Sequence, residues 1–80
     1  MNNTQERVTL CFTNVFPKIK PAEIPTASVG SLPAWNSIAH VTLLSSLAEE
    51  FGIDFEMEDF EELTSYPVIV EYMEKKFPDA

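Results

Sequence analysis

Residues 35–53, WNSIAHVTLLSSLAEEFGI, contain the start, the apolar face and the stop of one amphipathic helix. Asn36 is a strong N-cap residue, and Gly52 is the residue type that most often follows a helix in the left-handed conformation. These two residues predict a helix over 37–51. Apolar residues at helical spacing predict its inward face, which consists of Ile38, Val41, Leu44, Leu47, Ala48 and Phe51, with Leu43 at the margin.

Ser37 is the first residue of this predicted helix, and we expect its hydroxyl to be exposed to solvent. The N-terminus of a helix has unpaired N–H groups and the positive end of the helix dipole, so it favours an attached anion. Ser37 is therefore a candidate attachment point for a phosphodiester-linked group. The alternative is a serine that only opens a helix, which is a common placement, and the residues alone leave both interpretations open.

Three more helices are predicted from apolar residues at helical spacing and from prolines at helix ends, over about residues 4–16, 58–63 and 67–76. Pro17 ends the first of them because the residue before a proline is disfavoured in helical geometry. Pro67 suits the first position of the last helix, where an N–H would have no helical partner. The predicted fold class is all-α, with three main helices and a short third helix in a single domain, residues 1–80.

The segment between the first two helices, residues 17–35, is predicted to be a long loop because it contains four prolines and one glycine. A loop of this length is unusual in a compact domain. Its apolar residues are expected to fix it to the helices, with room for one short helical turn; they are Ile19, Ile24, Val29 and Leu32.

The chain has 80 residues and a net charge of −8, from 13 acidic and 5 basic residues. Nucleic-acid binding requires a positive surface, so nucleic acid is excluded as a partner and basic protein surfaces are expected instead. A domain of this size has a thin core and little room for a catalytic pocket, so we expect a non-catalytic protein. The chain has no signal-peptide pattern and no long apolar stretch, which favours a cytoplasmic protein without a membrane span, and its high charge favours a monomer.

The remaining reactive residue types do not form a recognisable metal or catalytic site. Cys11 falls in register with the inward residues of the first helix and is expected to be a buried thiol. Cys11 and His40 are too few for a metal centre. His40 lies three residues after Ser37, but no acidic residue on that face is placed to orient a Ser–His pair. We therefore expect His40 to flank the modified serine or a partner surface.

Three ordered motifs of the chain resemble those of the acyl carrier protein family. The tripeptide 36–38, Asn-Ser-Ile, stands where the family has an Asp-Ser-Leu-type motif at the start of its second helix. Residues 47–53, LAEEFGI, are similar to the Leu-Glu-Glu-Glu-Phe-Gly end of that helix. Residues 61–67, EELTSYP, followed by 70–74, VEYME, are similar to its third and fourth helices. The resemblance covers nearly the whole chain and is strongest from Trp35 onward.

The resemblance implies an acyl-carrier-type four-helix bundle with a long loop between helices 1 and 2. It implies that a phosphopantetheinyl transferase attaches 4′-phosphopantetheine from coenzyme A covalently to Ser37, with Trp35, Asn36 and Ile38 flanking the attachment point. The thiol of this arm would hold acyl intermediates as thioesters. The partners would be acyl-activating, acyltransferase or ketosynthase-type enzymes with basic docking surfaces. A specialised lipid or secondary-metabolite pathway is expected from the displaced acidic residues described next.

Two departures from the family pattern bear on function. Asn36 replaces the usual aspartate, which keeps the helix cap but removes a negative charge beside the modification site. Ala39 and Thr42 stand where the second helix of the family is usually acidic, and eight acids and no base lie between residues 49 and 62 instead. The predicted partner-recognition residues are Ile38, His40, Glu49, Glu50, Glu56, Glu58, Asp59, Glu61 and Glu62.

Two alternatives stay open at the level of sequence. One is a carrier for aminoacyl or polyketide intermediates, which differs from an acyl carrier in its cargo alone. The other is an unmodified acidic helical adaptor, with a carrier-like fold and no arm, which the departure at Asn36 favours. Attachment of an arm to Ser37 separates the adaptor from both kinds of carrier.

Overall fold

The computed structural model of the protein describes residues 3–77, and for Asn3 the backbone alone. The elements in chain order are α1 (Asn3–Val15), a 3-10 helix (Pro21–Thr26), α2 (Ser37–Phe51), α3 (Met57–Glu62) and α4 (Tyr66–Lys76). Most of the described residues are helical and none of them forms a strand, which is compatible with the predicted all-α class. Within the same range, none of the helices is both long enough and apolar enough to cross a membrane.

Helix α2 begins and ends at the residues that its sequence predicts. Asn36 has an extended backbone, and its side-chain Oδ1 accepts a hydrogen bond of 2.9 Å from the backbone N–H of Ala39. Gly52 follows the helix in the left-handed conformation with φ 68°, and its N–H bonds to the carbonyl of Ala48. Both ends are therefore fixed by local capping residues.

The other helices differ by one residue from their predicted bounds. Helix α4 begins at Tyr66, one residue before Pro67, because Ser65 is its cap and accepts a bond of 3.4 Å from the N–H of Val68. Helix α3 begins at Met57. The backbone N–H of Glu56, the residue before it, donates a hydrogen bond of 2.8 Å to the Asp59 carboxylate. Offsets of this size are ordinary at frayed helix ends.

The loop 17–35 is held against the later part of the chain by backbone and side-chain contacts. The N–H of Val29 bonds the carbonyl of Thr64 at 3.0 Å, and the N–H of Tyr66 bonds the carbonyl of Ala27 at 2.9 Å. Ile24 of the 3-10 helix is buried, and that helix packs against α4. Three of the four predicted apolar anchors pack on the core, but the side chain of Val29 does not, because it is 42% exposed and only its backbone is paired.

Helix α1 packs against both α2 and α4, and aromatic rings fill the centre of this arrangement. The Phe12 ring makes T-shaped contacts with the rings of Trp35 and Tyr66 at centroid distances of 5.3 and 5.2 Å. Such edge-to-face contacts stabilise a core beyond the burial of apolar area. The buried apolar side chains of the described chain are Val8, Cys11, Phe12, Phe16, Ile24, Ala27, Trp35, Leu43, Leu44, Leu47, Phe51, Leu63, Tyr66, Ile69 and Met73.

The predicted inward face of α2 was wrong in two of its positions. Ile38 is 80% exposed and Val41 is 53% exposed, whereas Leu43, which was placed at the margin, is fully buried. Apolar residues surround most of this helix, so helical spacing alone did not decide which of them turn inward. Packing against α1 selects the side that contains Leu43, Leu44 and Leu47.

Candidate functional site

Ser37 is exposed at the first position of α2, directly after its capping residue. The carbonyl of Asn36 accepts the first helical hydrogen bond from His40 at 2.8 Å, so the backbone of the helix is regular from its start. The Asn36 cap uses the N–H of Ala39 and leaves the Ser37 hydroxyl outside the cap. The hydroxyl therefore lies at the positive end of the α2 dipole, where an attached anion is favoured.

An exposed face of α2 runs away from this serine. Ile38, Val41, Ser45 and Glu49 recur at intervals of three or four residues, and all four are exposed. The face begins with apolar side chains next to Ser37 and ends with a carboxylate at the far end of the helix. A partner that approaches the serine along this face would meet apolar surface first and negative charge further on.

Most of the predicted acidic recognition residues are available on the surface. Five of them are exposed and have no ion pair among residues 3–77, namely Glu49, Glu56, Glu58, Glu61 and Glu62. Met57, which sequence reasoning missed, lies among them and is 80% exposed. Phe60, three residues later at helical spacing, is apolar, so the sequence pattern did not mark Met57 as an exposed residue.

Glu50 and Asp59 were predicted to contact partners, but both have structural roles within the chain. The Arg7 guanidinium donates to the Glu50 carboxylate at 2.8 Å and to the Glu50 carbonyl at 2.6 Å, and it lies 4.1 Å from the centre of the Phe51 ring. This contact joins α1 to the end of α2. The Asp59 carboxylate accepts the backbone N–H of Glu56 and so fixes the start of α3. Their charges contribute to the surface field, but their side chains are already bonded.

Trp35 was predicted to flank the attachment point at Ser37, and the structure places its side chain in the core. Its side chain is 1% exposed and packs against the rings of Phe12 and Phe16. The indole N–H donates to His40 Nδ1 at 2.9 Å. With almost no surface, Trp35 can support the position of Ser37 only indirectly, by anchoring the chain just before α2.

His40 was predicted to flank the arm or a partner, and the structure places its ring in internal contacts instead. Nδ1 accepts from the Trp35 indole, and Nε2 lies 2.6 Å from the carbonyl oxygen of Phe60. An indole can only donate, so Nδ1 is unprotonated and the hydrogen on Nε2 is donated to Phe60. Both ring nitrogens are used, and neither is directed to Ser37 as a base.

Cys11 is a buried free thiol, as predicted. Removal from water raises the pKa of this thiol above its ordinary value, because burial disfavours the charged thiolate. The negative charge of Glu50 acts in the same direction, whereas a hydrogen bond with Ser46 and the charge of Arg7 partly oppose it. A thiol that is buried and protonated reacts slowly, so Cys11 is not a candidate functional group.

The candidate site is therefore the exposed hydroxyl of Ser37, the apolar start of the outer α2 face and the acids that follow. No protein-family model, no curated protein and no solved structure matches the chain.

Proposed function

We propose that the protein is an acyl carrier protein, modified at Ser37 with 4′-phosphopantetheine and without catalysis of its own. The observation that supports this most directly is the exposed Ser37 hydroxyl at the first position of α2. The ordered motifs around it resemble those of acyl carriers, and this resemblance supports the hydroxyl as the attachment point of the arm. The order of α1, a long loop, α2, a short α3 and α4 fits the proposed acyl-carrier-type bundle.

The residues around Ser37 suit a covalent phosphodiester arm. The hydroxyl is exposed, its neighbours Asn36 and Ile38 are also exposed, and the helix dipole favours the phosphate. The bound arm supplies a terminal thiol that holds an acyl group as a thioester. The role of the protein is to hold the arm at one residue and to present a binding surface to its partners.

The surface of the chain supports partners with basic docking sites. Exposed acids lie at the end of α2 and on α3, and the apolar residues Ile38, Val41 and Met57 lie among the exposed surface of the same two helices. Apolar contacts of this kind contribute affinity, whereas charges mainly steer the encounter. We propose a phosphopantetheinyl transferase and acyl-activating, acyltransferase or ketosynthase-type enzymes as partners, in a cytoplasmic, specialised lipid or secondary-metabolite pathway.

Intact mass tests the modification directly. The full chain is co-expressed with a phosphopantetheinyl transferase of broad specificity, and we expect a gain of one phosphopantetheinyl group. Ser37→Ala should abolish the gain, and Ser45→Ala is the matched control because it removes another exposed serine hydroxyl from the same helix. A gain that survives Ser37→Ala would contradict the proposal.

The unmodified adaptor is the second candidate, because Asn36 stands where an aspartate is usual beside the modified serine. Its prediction is the opposite one, namely no mass gain with any transferase of its host. An aminoacyl or polyketide carrier gives the same gain as an acyl carrier and differs in what the arm thiol holds. Mass analysis of the loaded protein after purification from its host distinguishes these cargos.

A further inference from the structure

A surface groove lies on the side of α2 that faces α1 and the long loop. It has a volume of about 410 Å³, within the range of roughly 300–1,000 Å³ for small-molecule sites. We call it the loop-side groove, and its apolar lining includes Val15, Phe16, Ile19, Leu32, Pro33 and Ala39. Two charged side chains, Lys18 and Glu23, also border it. A groove with this lining favours an aliphatic occupant over a polar one.

The loop-side groove touches the chain on both sides of Ser37. Leu32 and Pro33 lie a few residues before the serine, and Ala39 lies two residues after it, about 3 Å further along the helix axis. A group tethered at Ser37 is therefore held close to the groove at a high effective concentration. The small side chain of Ala39 is half-buried and leaves the groove open at this end.

Another part of the first α2 turn is joined to α3. The bond from His40 Nε2 to the Phe60 carbonyl and the ring contact between these residues, at a centroid distance of 6.1 Å, join α2 to α3 there. Two smaller cavities, of about 190 and 260 Å³, are lined by α3, α4 and loop residues and by none from α2. The loop-side groove is an apolar recess that adjoins the residues around Ser37.

We propose that the loop-side groove holds the aliphatic part of the acyl group carried on Ser37, outside the helical core and against α1 and the long loop. The inference rests on the function proposed above and adds the place where the cargo lies. Burial of a saturated chain against Val15, Ile19 and Leu32 removes apolar surface from water on both sides of the contact. A two-carbon acyl group has too little apolar surface to gain from the same contact.

The test uses the full chain, loaded at Ser37 with an acetyl arm or an octanoyl arm by a transferase of broad specificity that accepts acyl-coenzyme A. Methyl NMR of the octanoyl form should show cross-peaks from the octanoyl group to the methyl groups of Val15, Ile19 and Leu32. The acetyl form should lack them. Ala39→Leu fills the groove and should remove the cross-peaks, whereas Ser45→Leu adds the same side chain to an exposed position of the same helix and should keep them.

The wild-type spectra decide the proposal even where Ala39→Leu fails to fold, which circular dichroism reports. Octanoyl cross-peaks to the core residues Leu44 and Leu63, to the exposed Ile38 and Val41, or to no residue at all would overturn the groove while the carrier function stands. Failure of the wild type to load at Ser37 would overturn both proposals, so the two failures are distinguishable by mass before any spectrum is recorded.

Discussion

At the scale of single residues, His40 joins two parts of the molecule through one ring. Its Nδ1 accepts the indole N–H of Trp35, a residue that is 1% exposed, and its Nε2 is bonded to the carbonyl of Phe60. The ring thus connects the end of the loop to α3 across the first turn of α2. This arrangement requires a neutral imidazole with its hydrogen on Nε2.

We expect ¹⁵N NMR to show the Nε2–H tautomer of His40 at neutral pH. His40→Phe keeps a ring but leaves the buried indole N–H of Trp35 without its partner, which costs about 1–3 kcal/mol of unfolding free energy. Urea unfolding measures this loss. Ser45→Ala is the control on the same helix and should change stability by no more than about 0.5 kcal/mol. An Nδ1–H tautomer, or equal stabilities of the two variants, would contradict the connection that His40 makes between Trp35 and Phe60.

The thiol of Cys11 should be slow to react. Only the thiolate attacks thiol reagents, and burial raises the pKa of this thiol, so less thiolate is present at a given pH than in a free cysteine. We expect the native, unmodified chain to react with a disulfide reagent at pH 8 far more slowly than the chain in urea. The reaction rate of Cys11 in the native chain should continue to rise as the pH increases above the ordinary pKa of a cysteine thiol.

The same reagent detects the second thiol that the proposed arm would add to the chain. A modified chain should react quickly with one equivalent, from the exposed arm, and slowly with the second, from Cys11. Equal reaction rates for native and unfolded unmodified chain would show that Cys11 is accessible and that the core around it is not as the structure has it.

At the scale of elements, Asn36 combines a structural role with a functional one at the start of α2. Asn36→Ala removes the bond to the N–H of Ala39 and should cost about 0.5–2 kcal/mol. Asn36→Asp keeps that acceptor and adds negative charge at the positive end of the helix dipole, so stability should stay equal or rise by about 0.3–1 kcal/mol. Urea unfolding of the three chains checks this order, which a loss in Asn36→Asp as large as that in Asn36→Ala would contradict.

Modification separates the second role of Asn36 from the first. The residue beside Ser37 is usually aspartate in the family that this chain resembles, so Asn36→Asp should be modified faster by a transferase than the wild type. The time course of the mass gain measures the rate. Asn36→Ala serves as control because it lacks both the charge and the cap, and a faster rate in that variant would assign the effect to a loosened helix end.

The ends of α2 could be predicted from sequence because Asn36 and Gly52 act on the backbone within one turn. The orientation of the helix could not, since apolar residues lie on most of its circumference and only contact with α1 decides which of them are buried. The burial of Trp35 escaped prediction for a related reason. It depends on the path of the loop 17–35, which backbone bonds to residues far along the chain determine.

At the scale of the whole molecule, charge is unevenly distributed. Eight acids lie between residues 49 and 62 without a base, and the five bases of the chain lie outside this segment. Arg7 neutralises part of it through Glu50 at the junction of α1 and α2. The exposed remainder gives the end of α2 and the whole of α3 a negative field that would accelerate encounters with basic partners at low ionic strength.

Charge reversal tests whether position or total charge governs these encounters. Glu49→Lys and Glu61→Lys lie within the acidic segment, and Glu6→Lys makes the same change at an exposed site on α1. We expect the first two variants to be modified at Ser37 more slowly than the third, mainly through a lower association rate, and to lose part of the salt dependence of that rate. Modification kinetics at 20 and 200 mM salt measure both effects. Equal rates for all three variants would mean that partners sense the net charge of the chain rather than a surface that begins beside Ser37.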